Sequence, residues 1–139
     1  MKQWLVDTNV LLDVIGGDEV HGTASRFALE RCAEAGVLVI NPIIYSEVST
    51  FIESLEELDE LLPADLFRRD PIPWPACFLA GKAHYRYRRS GGDGKRMLAD
   101  FLIGAHAAVE GMGLITRDGG YARYFELELL NPTPPRPGR

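Results

Sequence analysis

Three short apolar runs without polar alternation punctuate the chain: QWLV (3–6), VLVI (37–40) and GLIT (113–116). Runs this short and this uniformly apolar predict strands buried on both faces of a parallel sheet. Between them, apolar positions recur at helical spacing. NVLLDVI (9–15) predicts a helix stopped by Gly16-Gly17, and a second is expected over about 21–35, with Phe27, Ala28 and Cys32 inward and Gly36 at its end. Asn41-Pro42 predicts a helix start with proline in the tolerated first turn. That helix is expected to run through about Ser54, with Ile44, Val48, Phe51, Ile52 and Leu55 as its apolar stripe. LEELDELL (55–62) predicts a further helix ending at Pro63. The prolines from Asp70-Pro71 to Pro75 predict an irregular or edge-strand link. Residues 75–89 read as a helix, GGDG (91–94) as a flexible loop, and 98–110 as a helix apolar nearly all round. Buried strands alternating with helices predict a three-layer α/β domain, a short parallel sheet flanked by helices on both faces. It is expected to span residues 1–131, leaving the proline-rich 132–139 as a disordered tail.

Composition narrows the class without changing this picture. The 139 residues are 46% hydrophobic and 25% charged, as in one soluble globular domain. No apolar run approaches the ~20 residues that cross a bilayer. The opening MKQWLVD meets an aspartate too soon for a signal peptide. A cytoplasmic protein without a membrane partner is therefore expected. Cys32 and Cys77 lack metal-ligand spacing and read as apolar fillers in a reducing compartment. The net charge of −5 argues against wholesale coating of nucleic acid. The charge is nevertheless segregated. Glu47, Glu53, Glu56, Glu57, Asp59 and Glu60 fall in 47–60 with no base among them. Lys82, Arg86, Arg88, Arg89, Lys95 and Arg96 fall in 82–96 against Asp93 alone. Such a split suits two partners of opposite charge as well as ordinary solvated helix faces.

Candidate chemistry gathers at the strand ends. In open α/β sheets the functional crevice lies beyond the carboxyl ends of the strands. The first strand ends at Asp7, and the third ends at Thr116 with Asp118 two residues on. Each acid could simply cap a turn. Glu47 flanks the apolar stripe of its helix, where an unpaired carboxylate is costly. Asp100 stands in the first turn of a helix otherwise devoid of charge until Glu110, opposite a stripe formed by Leu98, Phe101, Leu102, Ala105 and Val109. Its own side carries Gly104, Ala107 and Gly111, small enough for another element to approach. Four converging acids repel one another, and a hard divalent cation, Mg²⁺ or Mn²⁺, relieves that repulsion. Such ions activate water against phosphodiesters. No phosphate-binding Lys-Ser/Thr loop is present, since Gly94-Lys95 is followed by Arg96. His106 reads as a core histidine, and His21 and His84 as surface or helix-start residues. A phosphatase-type nucleophile is disfavoured because Asp7-Thr8-Asn9 lacks a second aspartate.

Val6-Asp7-Thr8-Asn9, Glu47 within N-P-x-x-x-S-E, LADFLIGAHA (98–107) and LITRDGGY (114–121) together resemble the PIN-domain nucleases, specifically the VapC-type toxins of bacterial and archaeal toxin–antitoxin pairs. The resemblance covers residues 2–130 in order. It implies a PIN fold, Mg²⁺- or Mn²⁺-dependent endoribonuclease activity, a homodimer and inhibition by a cognate antitoxin. It assigns the acidic site to Asp7, Glu47, Asp100 and Asp118, with Asp7, Asp100 and Asp118 on metal and Glu47 completing the pocket or orienting water. Thr8, Asn9 and Thr116 fall where family members place supporting polar groups. Ala99 stands where the family carries proline. Arg88, Arg89, Lys95 and Arg96 are the candidate contacts to RNA phosphates. The competing reading is a catalytically silent PIN-like module that binds RNA or protein.

Overall fold

The first strand to form in sequence is the middle strand of the finished sheet. In a computed structural model that describes residues 1–134, β1 (Lys2–Val6) lies between β2 (Gly36–Ile40) and β4 (Gly113–Ile115). β3 (Phe67–Arg69) and β5 (Leu129–Leu130) close the two edges, giving the order β3-β2-β1-β4-β5. Every pairing is parallel, with Trp4 opposite Leu38 on one side and Gly113 on the other. Leu5, Val6, Leu38, Val39, Ile40, Leu114 and Ile115 are buried, as continuous apolar strands require when both sheet faces are covered.

Among the described residues six α-helices surround this sheet: α1 (Thr8–Ile15), α2 (Gly22–Ala35), α3 (Pro42–Ser49), α4 (Leu55–Leu61), α5 (Trp74–Arg89) and α6 (Leu98–Glu110). The three-layer α/β architecture expected from the sequence is the one observed. Of the tail expected at 132–139, residues 135–139 lie outside the described residues. Of the two short edge strands, β3 lies just before the irregular or edge-strand link expected at 70–75, and β5 lies in a stretch for which no element is expected.

Three packing expectations need correction. Phe27 is 59% exposed, with the Arg31 guanidinium lying over its ring, while Gly22, Ser25, Ala28, Leu29 and Cys32 form the buried face of α2. The helix starting at Pro42 ends at Ser49, short of Ser54, so Phe51 and Leu55 leave its stripe and are exposed. Hydroxyls explain the early end: Ser46, Ser49 and Thr50 donate to the carbonyls of Pro42, Ser46 and Glu47 and compete with the helical ladder. In α6, Leu98 and Val109 are exposed, and burial falls on Phe101, Ile103, Gly104, Ala105, His106 and Ala107.

Gly104 shows why the small side of α6 matters. A Cβ there would stand 2.5 Å from the Phe125 ring and 2.9 Å from Tyr121, so the glycine admits the chain returning after β4. Phe101 meets Tyr124 and Phe125 edge-on and Tyr87 of α5 at a tilt, forming an aromatic layer beside α6. His106 is buried, its Nδ1 3.0 Å from the Asn41 amide nitrogen. Burial holds its pKa below the ordinary value. It is the core histidine expected.

Candidate active site

The strand order reverses between β1 and β4, and the crevice beyond their carboxyl ends is where an open parallel sheet places its ligand. β1 delivers Asp7 there, and β4 delivers Thr116 and Asp118. Asp7 is only 5% exposed. As N-cap of α1 it accepts the Thr8 backbone N–H at 2.8 Å on Oδ1. On Oδ2 it accepts the Thr116 hydroxyl at 2.8 Å, the Tyr121 hydroxyl at 3.1 Å and the Asn9 amide at 3.3 Å. Burial nevertheless pushes its pKa up to about 6, against the pull of these donors and with the Glu47 charge adding to the rise.

Glu47 and Asp118 reach Asp7 through intermediaries. The Thr8 hydroxyl donates to Glu47 Oε1 at 2.6 Å, bringing the α3 carboxylate to the start of α1. Thr116 Oγ1 donates to Asp7 and accepts the backbone N–H of Asp118 at 3.0 Å. Asn9 bridges in the same way, donating to Asp7 and Thr116 and accepting the Arg117 N–H at 3.2 Å. The three candidate supporting residues thus all hold acids in place. Asp100 occupies the first turn of α6, where its Oδ2 accepts the Met97 N–H at 2.9 Å. It is a helix-end acid in the plain sense: among the described residues no hydrogen bond ties it to the other candidate acids, and only its charge acts at a distance on Tyr121 and Arg96.

Tyr121 is the residue that sequence reasoning passed over. It is buried, with its hydroxyl on Asp7. Burial first, then the charges of Asp7, Asp100 and Asp118, keep it protonated far above the ordinary tyrosine range. It is a fixed donor at the centre of the acids. Its presence in the motif LITRDGGY was the only signal available.

Asp118 differs from Asp7. Burial raises it, but the Arg96 guanidinium and the Gly120 N–H, both 2.8 Å from Oδ1, outweigh that and hold it below the usual carboxylate value. Among the described residues no three His, Cys, Asp or Glu side chains are gathered closely enough to hold a metal ion as they stand. The donor chemistry fits a hard divalent cation: all-carboxylate ligands, with one buried acid whose charge is uncompensated. The geometry is occupied on the Asp118 side by Arg96.

The basic candidates separate. Arg88 and Arg89 are exposed in the last turn of α5, Arg89 lying over Tyr85. Lys95 is exposed, its backbone N–H on Asp93. A cavity of about 810 Å³ is lined by Arg96 together with Arg86 and Arg123, neither of which was among the candidates, and by Gly119 and Gly120, which follow Asp118 in the chain.

A family model described as the PIN domain matches residues 4–126. Among solved structures, VapBC2 from Rickettsia felis, bound to a DNA fragment from its promoter, is 20% identical, with a TM-score of 0.74, 93% of this chain and 98% of that chain covered. A toxin–antitoxin complex from Klebsiella pneumoniae is 22% identical, with a TM-score of 0.67 and coverage of 92% and 96%. Mycobacterium tuberculosis VapC20, a Sarcin-Ricin loop cleaving toxin, is 12% identical, with a TM-score of 0.60 and coverage of 90% and 98%. These likenesses concern the fold. No curated protein sequence matches the chain.

Proposed function

This chain belongs to the PIN-domain family, and we propose that it is a metal-dependent endoribonuclease, the toxin of a VapBC-type toxin–antitoxin module. The observation that carries this reading is the tying of Asp7 to Glu47 through Thr8 and to the Asp118 backbone through Thr116 at the β1/β4 switch point. Asp7, Asp100 and Asp118 would hold Mg²⁺ or Mn²⁺, which supplies a water of lowered pKa and stabilises charge on the phosphodiester under attack. Thr116, Asn9 and Tyr121 orient Asp7 and keep one face of its carboxylate fixed. Glu47, held by Thr8, would complete the pocket or orient the attacking water. That water forms the new P–O bond, and the ester oxygen on the far side leaves. Arg88, Arg89, Lys95 and Arg96 are proposed contacts to the RNA backbone. A cognate antitoxin, a homodimeric state and a cytoplasmic location complete the proposal. Among the described residues no helix is long and apolar enough to cross a membrane.

The Arg96–Asp118 pair favours one second reading, a silent PIN module whose acids only stabilise the fold. Incubating RNA with the purified protein in Mn²⁺, Mg²⁺ or EDTA, beside Asp7→Asn, decides between them. Cleavage that needs the ion and is lost in Asp7→Asn supports the nuclease. No cleavage of any RNA with either ion supports the silent module.

A further inference from the structure

Arg96 follows the glycine-rich loop and is anchored before its side chain begins, its backbone N–H donating to the Tyr87 hydroxyl at 3.1 Å. The side chain is only 18% exposed. It passes between two rings, with the guanidinium carbon 5.6 Å from the centre of Tyr121 and 5.7 Å from that of Tyr124. Nη2 ends 2.8 Å from Asp118 Oδ1. A Cβ at position 120 would lie 1.9 Å from that nitrogen, so Gly120 leaves the room through which the guanidinium reaches the acid. An arginine threaded in this way is a built contact, unlike a surface pair formed by chance.

Its position creates a conflict. A guanidinium keeps its charge at any physiological pH. A divalent cation on Asp118 would meet that charge within a few ångströms, where repulsion is strong. The cavity on the other side offers the alternative. There Arg96 joins Arg86 and Arg123, which among the described residues have no ion-pair partner. Asp93, the acid in that wall, is engaged by the Tyr87 hydroxyl and the Lys95 N–H. Three arginines lining one cavity, with glycines 119 and 120 in the same wall, fit the phosphates of a polynucleotide strand.

We propose that Arg96 is a two-position residue, seated on Asp118 while no divalent cation is bound and on a substrate phosphate, beside Arg86 and Arg123, once such a cation takes Asp118 over. Metal and strand then bind cooperatively, each favouring the arrangement the other needs, and by reciprocity the coupling is the same in both directions. Arg96 acts here as a positioning residue as well as a phosphate contact. The inference rests on the acids being the nuclease site.

The test is Mn²⁺ binding by the full chain, read from the electron paramagnetic resonance of free Mn²⁺. It is run with and without a short 2′-O-methyl phosphorothioate oligoribonucleotide that resists hydrolysis. The wild type should bind Mn²⁺ about fivefold tighter when the oligonucleotide is present, the worth of one half-buried ion pair. Arg96→Met keeps the aliphatic filling between the rings. It should bind Mn²⁺ about fivefold tighter than wild type without the oligonucleotide, and gain little from adding it. The exposed pair Arg86→Met/Arg123→Met should bind Mn²⁺ alone as the wild type does and lose the gain from the oligonucleotide. This second variant decides the question even if Arg96→Met folds poorly. Mn²⁺ binding that is equal or weaker in a folded Arg96→Met protein, or an undiminished gain in the double variant, overturns the proposal while leaving the metal site standing. Absence of Mn²⁺ binding in every form overturns both.

Discussion

Asp7 and Asp118 are chemically identical residues that the fold treats in opposite ways. Asp7 keeps its charge against burial, and its pKa of about 6 makes it a destabilising group at neutral pH. An acid whose folded value lies above its unfolded one binds more protons folded than unfolded. Stability is therefore lost as pH rises from about 4 to about 6, and the loss persists above that. Asp7→Asn keeps the N-cap acceptor and removes the charge. Its amide nitrogen faces the Thr116, Tyr121 and Asn9 donors at every pH, so the charge is read from the change with pH: in EDTA its stability relative to wild type should rise by about 2 kcal/mol between pH 4 and pH 7. Urea titrations at the two pH values check this, and a difference that does not change with pH would refute it. Asp100→Asn separates two roles in one residue. Asparagine can still accept the Met97 N–H, so stability should move by less than about 0.5 kcal/mol, while RNA cleavage should fall at least ~100-fold. Placement of Asp7 and Asp118 at one end of the sheet is legible in the sequence, because Asp7 directly follows one apolar run and Asp118 comes two residues after the end of another. The pairing of Arg96 with Asp118 and of Tyr121 with Asp7 is not, because local pattern says nothing about which distant side chains meet.

Elements carry the site only where their packing is tight. Gly104→Ala improves helix propensity by about 1 kcal/mol, yet its methyl would press on Tyr121 and Phe125. Overpacking of this kind costs about 1–3 kcal/mol, so the variant should be less stable and should also lose cleavage as Tyr121 shifts from Asp7. A thermal melt showing net stabilisation would mean that the aromatic layer yields freely. Helix α4 offers a cleaner case. Ser54 accepts the Glu57 N–H at 3.1 Å, and Ser54→Ala should cost about 1 kcal/mol by denaturant unfolding without affecting cleavage. That cap was present in the sequence as Ser54-x-x-Glu57, the signature of a helix start. Giving weight to it ends α3 earlier and removes Phe51 and Leu55 from a stripe they do not join. Apolar periodicity ran across the break, because helical spacing alone does not register a serine that starts a new helix. The edge strands were illegible for a different reason: Phe67–Arg69 and Leu129–Leu130 are too short to show any period.

The whole molecule is closed by its far end. β1 is paired on both sides, and its β4 neighbour lies more than a hundred residues downstream. A fragment ending at Gly111 lacks β4, β5, Thr116 and Tyr121, and leaves the ladder along one side of β1 unpaired. It should show weak amide-hydrogen protection in Trp4–Val6 compared with the full chain. Native-like protection of those amides would argue that β1 and β2 fold independently. Alternation of strand and helix is the part of the architecture that the sequence conveys best, since it needs only local apolar runs. The placement of β1 at the centre depends on pairings between distant segments. This wiring also has a meaning for synthesis. A ribosome emits Asp7 more than a hundred residues before its partners Thr116 and Tyr121, and non-local pairing of this kind is slow to form. If the chain is the nuclease proposed, a copy made only as far as α6 has Asp7, Glu47 and Asp100 without Thr116 and Tyr121, which hold Asp7, and cleavage begins only after those two residues have emerged. Translation of the stretch between Asp7 and Tyr121 then sets the delay between the appearance of the first acid and the first cut.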